Sequence, residues 1–88
     1  MTTTDSDRVK VYGTDWCEVT RGTRGRLEQI GVPYLYLNME KDADAAQWLR
    51  DQNDGMELKP TLDIEGEVLT APQNPVLDDV LQRHNILQ

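Results

Sequence analysis

Apolar residues along this chain come in short alternating runs separated by helical stretches, and the order of those runs predicts the architecture. Val9-Lys10-Val11-Tyr12 alternates with a period of two, which predicts a short strand with Val9 and Val11 on one face, ended by Gly13. From about Glu18 to Ile30, Val19, Thr23, Leu27 and Ile30 recur near helical spacing and Gly31 stands as a stop, so a helix follows. Gly22 and Gly25 fall inside it at a cost of about 1 kcal/mol each relative to alanine. They mark a distorted turn, a close backbone contact or a weak helix. Val32-Pro33 leads into a second strand over Tyr34 to Met39, with Leu35, Leu37 and Met39 on one face. A helix between two strands makes that pair parallel, joined by a right-handed crossover.

Asp42 is placed to cap a second helix running to about Gln52, which buries Ala45, Ala46 and Leu49 with Trp48 at the margin; Asn53-Asp54-Gly55 stops it. Lys59 to Ile64 and Glu67 to Thr70 read as two more strands, and Glu65-Gly66 between them predicts a tight antiparallel hairpin. Pro60 falls at the start of its strand, where a missing ladder donor is tolerated. After Ala71-Pro72, Asn74 as N-cap and Pro75 in the first turn begin a last helix with Val76, Leu77, Val80 and Leu81 inward. Asp78 and Asp79 early in it, and Arg83 and His84 late, suit the helix dipole, which gives the single histidine a structural explanation. The expected order is β-α-β-α-β-β-α, an α/β fold with a four-stranded mixed sheet flanked by helices. It forms one domain over 1–88, with the polar residues 1–7 as a loose tail.

Composition narrows what such a domain can do. With 88 residues, 38% of them hydrophobic, and a mean hydropathy of −0.65, the chain supports one small core of modest stability. The net charge of −7 lies entirely after Leu37, a surface that repels phosphate backbones and argues against nucleic-acid partners. No run approaches the ~18 apolar residues of a membrane span, and the N-terminus has no signal-like apolar region. A cytoplasmic location without a membrane partner is therefore expected. One cysteine and one histidine, 67 positions apart, do not make a zinc site. The glycines lack phosphate-loop spacing. Arg21, Arg24 and Arg26 are the one basic cluster, either a solvated helix flank or an attraction for an anionic thiol.

The candidate chemistry lies in Thr14-Asp15-Trp16-Cys17-Glu18-Val19-Thr20, which sets the only cysteine between a strand and a helix start. Helix N-terminal amides favour the thiolate there. A lone cysteine is also a common small buried hydrophobe, but the acidic and aromatic neighbours argue against deep apolar burial. With no second cysteine an internal disulfide is impossible, so any disulfide state is mixed. The Thr20 hydroxyl, one helical turn on, favours a charged sulfur, whereas Asp15 and Glu18 oppose it.

Together, Val9-Lys10-Val11-Tyr12-Gly13-Thr14-Asp15-Trp16-Cys17, Gly31-Val32-Pro33-Tyr34, Leu58-Lys59-Pro60-Thr61 and Leu69-Thr70 followed by Pro72 resemble the glutaredoxin family of the thioredoxin fold. The resemblance runs from Val9 to about Leu87 and is nearest to the mycoredoxin, monothiol glutaredoxin-like branch. It implies a nucleophilic Cys17 attacking mixed disulfides, assisted by Thr20, with Pro60 in the cis form facing the sulfur. Asp15 and Trp16 flank the substrate, the backbone of Lys59 pairs with the thiol ligand, and Thr70 and Ala71 align with the site for the ligand's far end. The family's Gly-Gly and Asp pattern is absent from that last site. No bound cofactor is implied; the co-substrate is a low-molecular-weight thiol of glutathione or mycothiol type, and the partners are client proteins carrying mixed disulfides. The protein would act as a monomer. Cys17-Glu18-Val19-Thr20 replaces the family's Cys-Pro-Tyr-Cys or Cys-Gly-Tyr-Cys, so only a monothiol cycle remains. The same departure raises the alternative of a redox-inactive binding or regulatory module. The Cys-Gly-Phe-Ser motif of the cluster-binding branch is missing, which argues against iron-sulfur carriage.

Overall fold

The computed structural model describes residues 5–87, and in it the alternating runs form one mixed sheet with the helical runs packed against it. After a 3-10 turn over Asp5–Arg8, the order is β1 (Val9–Gly13), α1 (Glu18–Gln29), β2 (Leu35–Asn38), α2 (Ala43–Gln52), β3 (Thr61–Ile64), β4 (Glu67–Thr70) and α3 (Asn74–Arg83). The strands lie in the order β2-β1-β3-β4, with β2 parallel to β1 and the other two pairs antiparallel. Of the expected tail, residues 5–7 belong to the 3-10 turn and residues 1–4 lie outside the described residues.

Strand alternation divides the apolar side chains between two cores. Val9, Val11, Leu62 and Ile64 face α1 and α3, packing with Leu27, Leu77, Val80 and Leu81. Tyr12 and Met39 face α2 and pack with Ala45, Ala46 and Leu49. Trp48, expected at a margin, stacks on Tyr12 with ring centroids 4.1 Å apart. Asp42 caps α2, its carboxylate accepting from the Ala45 N–H at 3.0 Å. In the β3-β4 turn Glu65 and Gly66 both have positive φ, the conformation of a two-residue hairpin matched to strand twist.

Several local expectations are corrected or narrowed; Val76, expected inward on the last helix, is 50% exposed. Val19 is 51% exposed rather than buried, because the face of α1 turned inward is that of Thr20, Thr23 and Leu27. The N-cap of α3 is Gln73 rather than Asn74; Pro75 then falls within the first turn, where its missing N–H costs nothing. Gly22 and Gly25 lie in an unbroken helix, and a β-carbon at either would meet nothing within 4 Å. They weaken α1 and serve no close contact. Replacing both with alanine should stabilise the domain by up to about 2 kcal/mol, read as a higher midpoint in thermal unfolding.

The far end of the hairpin is tied to α3 by charge. His84 sets Nδ1 3.0 Å from Glu65 Oε1 and Nε2 2.9 Å from Glu67 Oε1. Arg83 pairs with Glu67, and Arg8 with Glu65. The bond to Glu67, then that to Glu65, outweighs partial burial and raises the His84 pKa above its ordinary 6.5. A raised histidine stabilises the fold fully below its unfolded value and loses that contribution as pH climbs through the folded one. Thermal stability should therefore fall as pH rises from about 6.5, and His84→Gln should flatten that dependence. Glu67 works in the other sense: its bonds to Arg83 and His84 hold it down at about 2. Its contribution is present above the ordinary carboxylate value and is lost as pH falls toward 2.

Candidate functional site

The sheet register delivers the site residues to one edge. Gly13 pairs with Asn38 at the end of β1 and β2, Tyr12 with Thr61 at the start of β3, and Thr61 with Thr70 at the end of β4. The loops that leave those positions carry Asp15 to Cys17, Lys59-Pro60 and Ala71. Gly13 is required at this edge because α1 begins directly above it: a β-carbon there would lie 2.5 Å from Thr20 Oγ1 and 2.7 Å from its Cγ2.

Cys17 is the N-cap of α1, in an extended conformation, and its side chain makes no capping bond to the helix. The sulfur is half-buried. Burial alone would push its pKa up, but the Thr20 hydroxyl, the backbone N–H groups of Thr20 and Val19, and the Lys59 ammonium together bring it below the ordinary value. The Thr20 hydroxyl is fully buried and has no partner at hydrogen-bond geometry, so its approach to the neutral thiol falls short of a formed bond. It gains weight when the sulfur is charged, since an ionised acceptor makes the stronger bond. Asp15 and Glu18 do not figure among the groups that move the thiol. Both are exposed, and Asp15 accepts from the Tyr36 hydroxyl at 2.7 Å. Burial, then that bond to Asp15, lifts Tyr36 to about 12 and keeps it a proton donor.

Trp16 stands 62% exposed beside the cysteine, yet it is held in place. Its indole N–H donates to Glu40 Oε2 at 2.9 Å, and the Lys59 ammonium lies 5.3 Å from its ring centroid. Lys59 is thus next to both Trp16 and the sulfur. The Lys59-Pro60 peptide bond is cis, and Pro60 is buried. Its carbonyl accepts from the Ala71 N–H at 2.7 Å, which joins Ala71 to the same wall. Ala71 adopts φ 44°, a left-handed conformation that favours glycine. Thr70, just before it, donates its hydroxyl to Asn53 Oδ1 at 2.9 Å.

Asp15, Trp16, Cys17, Thr20 and Lys59 are brought together at the start of α1, and Pro60, Thr70 and Ala71 adjoin them through the backbone. Sequence reasoning missed Glu40, which orients Trp16, and Tyr36, which holds Asp15. It also read Asn53 only as a helix stop. No local pattern pairs any of these with its partner, since the contacts join separate elements. Of the basic cluster, Arg26 is paired with Asp78 and Arg24 lies 3.8 Å from the Tyr36 ring centroid, so both are engaged in holding the structure. His84 sits at the opposite end of the hairpin from the cysteine. Among the described residues no group of three or more His, Cys, Asp or Glu side chains is placed to hold a metal ion, and no cavity encloses a ligand. No helix among them is long and apolar enough to cross a membrane. The arrangement exposes a thiol of lowered pKa on an open surface, with a backbone wall beside it.

No family model matches the chain. Mycoredoxin 1 of Corynebacterium glutamicum is 29% identical over 75 residues, covering 85% of this chain and 90% of that protein. Among solved structures, the thioredoxin-like protein BC3987 matches with a TM-score of 0.73 and 29% identity, over 83% of this chain and 99% of that one. Buckwheat glutaredoxin in complex with glutathione shares the fold, with a TM-score of 0.60 and 20% identity over 89% of this chain and 68% of that one. A cysteine at the start of the first helix, a cis-proline loop and likenesses over most of the domain make the chain similar to glutaredoxins of the thioredoxin fold, and to a mycoredoxin in particular.

Proposed function

We propose that this glutaredoxin-like thiol-disulfide oxidoreductase works by a monothiol cycle on mixed disulfides between proteins and a low-molecular-weight thiol. The observation that carries this reading is a single cysteine of lowered pKa at a helix N-terminus, with Thr20 where a resolving cysteine would stand. In the first step the Cys17 thiolate attacks the small-thiol sulfur of the mixed disulfide. The bond between Cys17 and the small thiol forms as the client-side S–S bond breaks, and the client leaves as a thiolate that takes up a proton. A second small thiol, as its thiolate, then attacks the outer sulfur of the adduct. Cys17 is released as a thiolate and the small thiol leaves as its symmetrical disulfide, one half carried in by the client and the other from the one free small thiol that each cycle oxidises.

Thr20 steadies the charged sulfur, Lys59 and Trp16 flank the incoming disulfide, and the backbone at Lys59, with Thr70 and Ala71 beyond the proline, receives the thiol ligand as an added strand would. The protein acts as a monomer on cytoplasmic clients. Asp15, Glu18 and Glu40 stand on or against the segment that carries Trp16 and Cys17, beside the Lys59 ammonium, and two carboxylates on a ligand would meet more repulsion than attraction at this rim. Of the two thiol types, one without carboxylates suits this rim better.

The test is turnover of one cysteine peptide carried as two mixed disulfides, one with glutathione and one with the uncharged 2-mercaptoethanol, followed with adduct masses on Cys17. A single-thiol adduct at Cys17, release by excess small thiol and faster turnover of the uncharged adduct are expected. An unmodified Cys17 after prolonged incubation with both would instead point to a redox-inactive module.

A further inference from the structure

Asn53 is more than a helix stop. The reversal after α2 is made by Asp54 and Gly55, both at positive φ, with the Gly55 N–H on the Arg50 carbonyl at 2.8 Å. That turn does not require an asparagine side chain before it. Yet the Asn53 amide is buried and satisfied on every side: Nδ2 donates to the Leu49 carbonyl at 2.8 Å and to Thr61 Oγ1 at 3.0 Å, and Oδ1 accepts from Thr70 Oγ1 at 2.9 Å. Thr61, itself fully buried, passes the contact on, its hydroxyl donating to the Leu58 carbonyl at 2.8 Å. The Pro60 carbonyl is held by the Ala71 N–H. The Leu58-Lys59 peptide is thus tied to the Asn53 amide through the Thr61 hydroxyl, and the Thr70-Ala71 turn that holds the Pro60 carbonyl is tied to it through the Thr70 hydroxyl.

We infer that Asn53 is a positioning residue for the wall opposite Cys17, fixing Leu58 to Pro60 through Thr61 and the Thr70-Ala71 turn through Thr70. The inference rests on the thiol-exchange reading above, because the wall matters to function only if a disulfide is held against it. The chemistry of the side chain supports the assignment. An amide is the one neutral group that donates twice and accepts at once, so it can join a helix end to two strands without placing a charge beside the thiol. Aspartate at the same place keeps the acceptor for Thr70, loses both donors and adds a negative charge. A loss of wall geometry by a fraction of an ångström weakens binding of the extended ligand while leaving the sulfur, held by α1, unchanged.

The test compares Asn53→Ala and Thr61→Val with the unaltered protein, using a cysteine peptide in mixed disulfide with glutathione and amide hydrogen exchange read by NMR. Both substitutions should raise KM roughly tenfold with kcat and the pH midpoint of Cys17 alkylation unchanged, and the double variant should be little worse than either single one. The Ala71 amide should exchange at least about tenfold faster while the Val11 and Leu62 amides keep their protection. Unchanged KM with unchanged Ala71 exchange in either variant overturns the assignment, as does an equal loss of protection across the sheet, which marks a merely structural role. If Asn53→Ala does not fold, Thr61→Val alone decides by the same readings. Failure of the unaltered protein to turn over the peptide as either its glutathione or its 2-mercaptoethanol mixed disulfide refutes the thiol-exchange reading, and with it the assigned role, whereas turnover with indifferent variants refutes the Asn53 assignment alone.

Discussion

Replacing Cys17 with serine is expected to abolish thiol exchange, a loss on the order of a thousandfold or more, without loss of fold. The chain has no second thiol to take over the step, and a serine hydroxyl at neutral pH is neither ionised nor able to form the adduct. The structural half of the prediction is as sharp. Cys17 occupies the N-cap of α1 and makes no capping bond, whereas serine is among the residues preferred there. The variant should therefore unfold at a temperature equal to or above that of the parent. A coincident fall in stability and activity would show that the sulfur is needed for packing, and residual turnover would show that chemistry is carried elsewhere.

The second large effect is expected at Gly13. Its backbone lies in a region that alanine also adopts, so the cost of Gly13→Ala is steric: the new methyl would fall 2.5 Å from Thr20 Oγ1 and 3.2 Å from Thr20 Cβ. Thr20 is fully buried and has nowhere to swing, and the first turn of α1 must lift away from β1. Overpacking of this kind costs about 1 to 3 kcal/mol, which in a domain of this size lowers the unfolding midpoint by roughly 4 to 8 °C per kcal/mol. Because that turn carries the amides that hold the Cys17 thiolate, activity should fall as well. Adding Thr20→Ala to the same chain removes the two nearest atoms and should restore most of the stability. It should not restore the thiolate, since the hydroxyl that favours it is gone. Thermal unfolding and alkylation kinetics on the two variants separate the steric role from the electrostatic one.

What the sequence made legible follows from where its signals are local. The alternation of Val9 and Val11, the Asp42 cap and the Glu65-Gly66 turn each act within a few residues, and each element lies where those signals set it. Errors came where the partner was distant. Val19 has helical spacing but lies off the Thr20, Thr23 and Leu27 face that α1 buries, and periodicity alone does not choose between adjacent faces. Gln73 rather than Asn74 caps α3 because Pro75 fits the first turn in either register. The two-core arrangement, with Tyr12 stacked on Trp48, depends on a crossover that brings together residues 36 positions apart. The place of Cys17 at the start of α1 was legible from the order of strand and helix, whereas the cis form of Pro60 was legible only through the family resemblance. The balance between Asp15, Glu18 and the helix amides was not, because it turns on where exposed carboxylates point. Asp15 is drawn aside by Tyr36, a contact that only the parallel pairing of β1 and β2 creates. Asn53 was hidden for the same reason: its partners come from three elements.

The claim on which the rest depends is that the sulfur of Cys17 is ionised at neutral pH more readily than a free thiol. The rate of alkylation of Cys17 by iodoacetamide, followed across pH in the folded protein, measures this directly. A midpoint clearly below the free-thiol value of about 8.5, shifting upward in Thr20→Ala, is the predicted result; a midpoint at or above that value, indifferent to Thr20, would contradict the account.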